Sequence, residues 1–292
     1  MQQMEQKLSE DTFGAERARA IYDMENSTIF ASRKDARFSY CTYAPSRKGP
    51  AGQKPALVVV THGTGRAFTE YRDAFADFAR WNNCIILCPL FPAGVQGDGN
   101  RDGFKQLVEN DIRYDRILLD MVEEVGHKFN CDFKRFALFG YSGGGQFANR
   151  FCLLHPDRLW AVSIGAPGSV TLLDPQSDWW VGVKGMEKKF GITLNLEALK
   201  QLPVHMIVGK ADLETWEITH KEGGKFFMSG ANDAGRTRPE RLATLCKSFQ
   251  AAGVNVQMDL VDNVAHNGLA CVRQVQDFMA DILLELRAKS QS

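Results

Sequence analysis

One serine in this chain sits where a serine can be made to react. Residues 136–150 read Phe-Ala-Leu-Phe-Gly-Tyr-Ser-Gly-Gly-Gly-Gln-Phe-Ala-Asn-Arg. A short apolar run ends in Gly140-Tyr141-Ser142-Gly143-Gly144, and a helical pattern starts at once. That is G-x-S-x-G between a strand and a helix, the setting of a nucleophile elbow. Such a turn strains the serine backbone and leaves no room for side chains at Gly140 and Gly144. It lifts the Ser142 hydroxyl above the sheet edge and aims the first amides of the helix at whatever the serine attacks. Alone the motif is weak, because glycine-rich turns that close strands are common. Its weight depends on partners elsewhere in the chain.

A serine hydroxyl is a poor nucleophile until a histidine takes its proton and a carboxylate orients that histidine. In an open α/β sheet these groups belong in loops at the carboxyl ends of strands. Asp212 follows the apolar run Val204–Val208, and His266 follows the run Val254–Val261. Taken singly, such an aspartate is a turn former and such a histidine a surface loop residue. Taken together, the order Ser142, Asp212, His266 is the informative fact. Glu214 and Asp233 compete for the role of Asp212, and Asp259 and Asp262 lie near the last strand. His220 competes for that of His266, but it falls in an insertion and not after a strand. His127, His155 and His205 read as structural. A fourth element, Val60-Thr-His-Gly-Thr-Gly65, follows another buried run. Acyl transfer passes through an oxyanion that needs fixed amide donors. The amides of Thr64 and Gly143 are the candidates. His62 is expected to hold its turn by bonding to loop backbone.

The elements that must carry these residues alternate. Ala56–Thr61, Cys84–Cys88, Phe136–Gly140, Leu159–Ile164, Val204–Val208 and Val254–Val261 are apolar runs of strand length. Near-continuous apolar strands of this kind belong to parallel sheets buried on both faces. Helical periodicity lies between them, over Glu70–Arg80, Gln106–Lys128, Ser142–Leu154, Arg238–Ala252 and Gly268–Ala288. Thr28–Ser32 and Arg37–Tyr43 predict an antiparallel hairpin at one edge. The fold class expected is α/β: a mostly parallel sheet with helices on both faces and an antiparallel N-terminal edge. Residues 1–26 read as a polar helical lead-in and residues 27–288 as a single domain.

Bulk composition narrows the choices. The 292 residues hold 35 basic and 35 acidic side chains, so the basic excess of a nucleic-acid binder is missing. No run of 18 apolar residues predicts a membrane span. The N-terminus lacks the apolar core of a signal peptide, although a leader already removed would leave no trace. Seven cysteines at irregular spacing, several inside apolar runs, read as free thiols of a reducing compartment, which points to the cytoplasm. None has an elbow-like context, and there is no zinc spacing, no phosphate-binding loop and no dinucleotide fingerprint. No metal or cofactor is expected.

As an ordered set, His62-Gly-Thr-Gly65, Gly140-Tyr-Ser-Gly-Gly144, Asp212 and His266 resemble the α/β-hydrolase superfamily over roughly residues 27–288. Within it, Thr61–Pro92 and Gly140–His155 are most similar to polyhydroxybutyrate-depolymerase-like and feruloyl-esterase-like esterases. The resemblance implies cofactor-free hydrolysis of a small or oligomeric carboxylic ester. It also implies that the insertion 168–201 is a cap over the active site. There Trp179, Trp180, Met186 and Phe190 either line a substrate pocket or simply pack the insertion. Arg66, with Lys184, Lys188 and Lys189, hints at an anionic substrate, against the plainer reading of a solvated charged face. A second insertion, Thr215–Arg236, is read as a flap or a homodimer contact. Two other functions stay open: an amidase or peptidase on the same residues, and a binding protein that keeps the fold without catalysis.

Overall fold

The computed structural model describes residues 25–46 and 53–291. Of the lead-in expected over residues 1–26, residues 1–24 lie outside the described residues. Its last two residues are not helical. Asn26 bridges Tyr43 in antiparallel fashion, and the Glu25 carboxylate accepts from Tyr43 Oη at 2.6 Å and Arg80 Nη2 at 2.8 Å.

Strands β1 (Phe30–Ala31) and β2 (Ser39–Tyr43) form the expected hairpin. Six more strands complete one sheet: β3 (Ala56–Thr61), β4 (Cys84–Leu90), β7 (Phe136–Tyr141), β8 (Leu159–Gly165), β9 (Val204–Gly209) and β10 (Val256–Val261). The order is β1-β2-β4-β3-β7-β8-β9-β10. The pairs β1–β2 and β2–β4 are antiparallel, and every pair from β4 to β10 is parallel. Parallel alignment puts all six carboxyl ends at one edge, so the loops after β3, β7, β9 and β10 are neighbours in space although far apart in sequence.

The helices cover both faces. After β3 come two short ones, α1 (Phe68–Ala74) and α2 (Ala76–Asn82), where the sequence predicts a single helix. The long α3 (Tyr114–Phe129) precedes β7, and α4 (Gly143–Leu154) follows it. The insertion after β8 holds α5 (Met186–Phe190) and α6 (Leu196–Gln201). Helix α7 (Arg238–Ala251) leads into β10, and α8 (Val272–Gln291) is last. A capping box starts α7: Thr237 accepts from the Glu240 amide while Glu240 accepts from the Thr237 amide. The helix expected from Gln106 begins only at Tyr114. Residues 103–113 form a 3-10 turn (Gly103–Gln106) and a two-stranded ribbon of β5 (Val108–Glu109) and β6 (Ile112–Arg113). Leu107 and Asn110, at φ 62° and 51°, turn the chain where a helix would have continued.

The central strands β3, β7 and β8 are buried almost throughout, and α4 beneath them is buried on every residue. The edge strand β10 is only half-buried, with Gln257 and Leu260 exposed.

Candidate active site

The turn from β7 to α4 has the strain that the glycine pattern implies. Ser142 holds φ 59° and ψ −115° without being glycine. Its amide donates to Gly165 O at 2.9 Å. A methyl group on Gly144 would lie 2.5 Å from Thr61 O, and one on Gly140 would overlap the Gly144 carbonyl. Gly145 is equally tight against the Gly165 carbonyl.

The loops after β9 and β10 meet this serine. His266 Nε2 lies 2.9 Å from Ser142 Oγ, and Nδ1 lies 2.6 Å from Asp212 Oδ2. A carboxylate only accepts, so Nδ1 carries the proton and Nε2 is free to accept from the serine hydroxyl. Asp212 is 1% exposed, and its other oxygen accepts from Arg238 Nη1 at 3.0 Å. Arg238, at the start of α7, also bonds Glu217 at 2.8 Å. The Tyr141 ring supports the imidazole at a centroid distance of 5.3 Å. Of the competitors named from sequence, Asp259 bonds another histidine, and His220 packs on Trp180 at 4.8 Å.

The loop after β3 closes the third side. A methyl group on Gly63 would sit 3.6 Å from Ser142 Cβ, and one on Gly143 would sit 3.2 Å from the Thr64 amide nitrogen. The Gly143 amide is the first of α4, where amides have no partner within the helix. The expected donors Thr64 and Gly143 thus flank the serine together. His62 is fully buried, with Nδ1 donating to Gly63 O at 2.8 Å and Nε2 accepting from the Phe91 amide at 3.0 Å. Burial pushes its pKa down to about 3, so it stays neutral and holds the loop. Arg66 is a fastener of the same loop. Its guanidinium bonds the carbonyls of Thr64, Phe91 and Arg101 at 2.6, 3.1 and 2.8 Å and lies over the Phe104 ring. Those donors face backbone, not ligand.

The tryptophans of the insertion divide. Trp180 is buried against the Arg150 guanidinium, and Trp179 packs edge-on against Phe190 at 4.9 Å. Met186 and Phe190 are part of the main core. The segment is tied down at Thr171 N to Asn149 Oδ1, at Leu173 N to Ser248 Oγ, and at Phe190 O to Arg113 Nη1. The exposed lysine of the segment that pairs, Lys184, reaches Asp178. The sequence reading missed Lys105, whose stem lies against Gly143, Gln146, whose backbone amide bonds the Ser142 carbonyl, and Arg150, which bonds the Lys105 carbonyl and Gln146. Arg150 carried a usable signal: it lies two turns after Ser142 on a helix that must run beneath the sheet.

Two other features lie outside this site. A surface groove of about 790 Å³, lined by Val122, Gly126, Phe133, Arg135 and Arg158, lies at the amino ends of β7 and β8, opposite Ser142. Ser163, His205 and Asp259 form a second serine–histidine–aspartate chain, at 2.9 and 3.1 Å. Ser163 is mid-strand and fully buried, with no turn to present it.

The fold has counterparts among solved structures. A poly(3-hydroxybutyrate) depolymerase, LpqC, from Bordetella parapertussis superposes with a TM-score of 0.68 at 21% identity, covering 84% of this chain and 85% of its own. Poly(aspartic acid) hydrolase-1 from Sphingomonas sp. KT-1 gives 0.66 at 20%, over 82% and 92%. An S-formylglutathione hydrolase from Agrobacterium tumefaciens gives 0.57 at 17%, over 88% and 93%.

The chain has the α/β-hydrolase fold.

No protein-family profile and no curated sequence matches it. Among the described residues of this α/β-hydrolase fold, no helix is long and apolar enough to cross a membrane. All seven cysteines are free thiols, as the sequence suggests.

Proposed function

We propose that this protein is a serine hydrolase that cleaves a carboxylic ester through an acyl-enzyme. The observation that carries the reading is the hydrogen-bonded series Ser142–His266–Asp212, begun by a serine at positive φ. His266 Nε2 accepts the Ser142 proton as Oγ attacks the ester carbonyl carbon. The carbonyl π pair moves to oxygen, and the amides of Thr64 and Gly143 stabilise that oxyanion. Asp212 holds the ring and balances the imidazolium, itself held by Arg238. When the oxyanion collapses, the alkoxide leaves with the His266 proton. Water, deprotonated by His266, then attacks the acyl-Ser142 ester and releases the acid. None of these steps calls for a cofactor.

An amide substrate is the second reading, since the same groups serve both bonds. The resemblance to a poly(aspartic acid) hydrolase and a poly(3-hydroxybutyrate) depolymerase allows either, and oligomeric substrates in both cases. Matched ester and amide substrates separate the two. The deciding test of the common mechanism is intact-protein mass after treatment with a fluorophosphonate. Wild type gains one phosphonyl group and Ser142→Ala gains none. An unlabelled wild type returns the chain to a non-catalytic binding role.

A further inference from the structure

A buried cation is ordinarily matched by a carboxylate. Two of the largest buried side chains here are not. Arg150, fully buried on α4, donates to Thr171 Oγ1 at 3.0 Å, Ser169 Oγ at 2.9 Å, the Lys105 carbonyl at 2.5 Å and Gln146 Oε1 at 3.5 Å. Arg241, 1% exposed on α7, bonds the carbonyls of Gly168, Ile218 and Gly235 and Asn232 Oδ1. Among the described residues neither has an ion-pair partner. They flank the chain at Gly168–Ser169, directly behind α4.

A third cation brings this charge to the reacting end of the site. Lys105 follows the loop that Arg66 fastens. A methyl group on Gly143 would meet Lys105 Cε and the Phe104 ring, each at 3.0 Å. The lysine stem therefore lies against the residue next to Ser142. Its ammonium pairs with Asp102 Oδ1 at 2.5 Å, and its side chain is mostly buried, 15% exposed, with burial pushing its pKa down against the pull of Asp102. Gln146, one turn after Ser142, gives Oε1 to Ser169 and Arg150, while its amide group faces Gly168 with no acceptor among the described residues. His220 registers the combined field. Its pKa is pushed down to about 4, first by burial and then by Arg241, Arg150 and Lys105, with Asp102 the opposing charge.

We propose that Lys105 is a substrate-recognition residue of this site, exchanging its Asp102 partner for a carboxylate carried by the substrate near the scissile carbonyl. Asp102 holds the lysine until substrate replaces it. Arg150 and Arg241 do not touch the ligand, but their uncompensated charge favours an anion over a neutral group there. The substrate class is thus an acyl compound with a free carboxylate, such as a half-ester of a dicarboxylic acid or a unit of a polyanionic chain. The inference rests on the hydrolase reading above and names its substrate.

The test compares matched pairs on the intact protein. For a carboxylate on the acyl side, mono-p-nitrophenyl glutarate is set against p-nitrophenyl pentanoate. For one on the alcohol side, 4-carboxyphenyl pentanoate is set against its methyl ester. Wild type is expected to prefer the charged member of at least one pair in kcat/KM on the order of tenfold to a hundredfold, the worth of one charge-assisted hydrogen bond. Lys105→Met brings that ratio towards one, and Asp102→Asn, which frees the lysine, raises it. Lys247→Met, at an exposed lysine of α7, leaves it where it was. Equal or reversed preference in both pairs overturns the proposal, as does a Lys105→Met ratio equal to that of wild type. If no ester is turned over, the ester-hydrolase reading fails by itself and glutarate binding decides the present one. Glutarate then raises the melting temperature of wild type but not of Lys105→Met, and no rise in wild type overturns it.

Discussion

Ser142 is the point where the fold stores strain, and its partners are of unequal kinds. His266 is part-exposed and can receive a substrate, whereas Asp212 is sealed between His266 and Arg238. Asp212→Asn keeps the shape but offers an amide where Nδ1–H needs an acceptor, which favours the wrong tautomer. On p-nitrophenyl pentanoate its kcat should fall on the order of 10⁴-fold, and its melting temperature should fall as well, because the buried Arg238 keeps only the half-exposed Glu217 as a charged partner. The serine, aspartate and histidine were all legible in the sequence because each must follow a strand, and strands are legible. Arg238 and Lys105 were not. Their roles come from long-range packing of α7 and of the turn at Gly103, and nothing local marks them. Arg66 illustrates the converse. Its charge suggested a ligand, but loop carbonyls claim three of its donors.

Among the elements, the elbow tolerates least. Gly145→Ala presses a methyl group into the Gly165 carbonyl of β8. Unfolding in urea should show a loss of about 1–3 kcal/mol, the usual cost of overpacking, together with reduced turnover as Ser142 shifts. Parallel strands and the later helices could be read from apolar runs and periodicity. Residues 106–113 could not, because Leu107 and Ile112 fit a helical stripe while the backbone at Leu107 and Asn110 turns left-handed. The insertion 168–201 has the length of a cap, yet Met186, Phe190 and Leu199 join the core, Trp180 and Val181 pack in a small cluster with Ala231, and its backbone is tied at three points. The stretch 221–230, by contrast, is turn after turn with exposed side chains. Limited trypsin digestion should therefore cut first at Lys221 or Lys225, before Lys184, Lys188 or Lys189. Early cleavage within 184–189 would show a cap that opens.

For the whole molecule, stability should follow pH in a defined direction. His62 is neutral in the folded protein down to about pH 3, while in the unfolded chain it titrates near its ordinary 6.5. Above pH 6.5 it contributes nothing either way. Below that, only the unfolded chain gains the proton, so stability falls by about 1.4 kcal/mol per pH unit from this group. His205 and His220 are lowered as well, by burial first, and act in the same direction. Glu25 is held at about 2, mainly by Arg80. Asp115 reaches about 2 because His155 and Arg113 outweigh its burial. Both give stability that is present above their ordinary carboxylate range and is lost as pH falls towards 2. The melting temperature at constant ionic strength should thus decline steadily from pH 6.5 to 4 and faster below; a flat profile over pH 6.5–4 would contradict the buried neutral state of His62. The pairing of β10 with β9 has a further consequence, in the order of synthesis. Ser142 leaves the ribosome 124 residues ahead of His266, and the histidine reaches it only after the last strand has docked. A growing chain therefore carries Ser142 without its histidine, and the proposed hydrolytic competence would arrive late, as a by-product of closing the sheet.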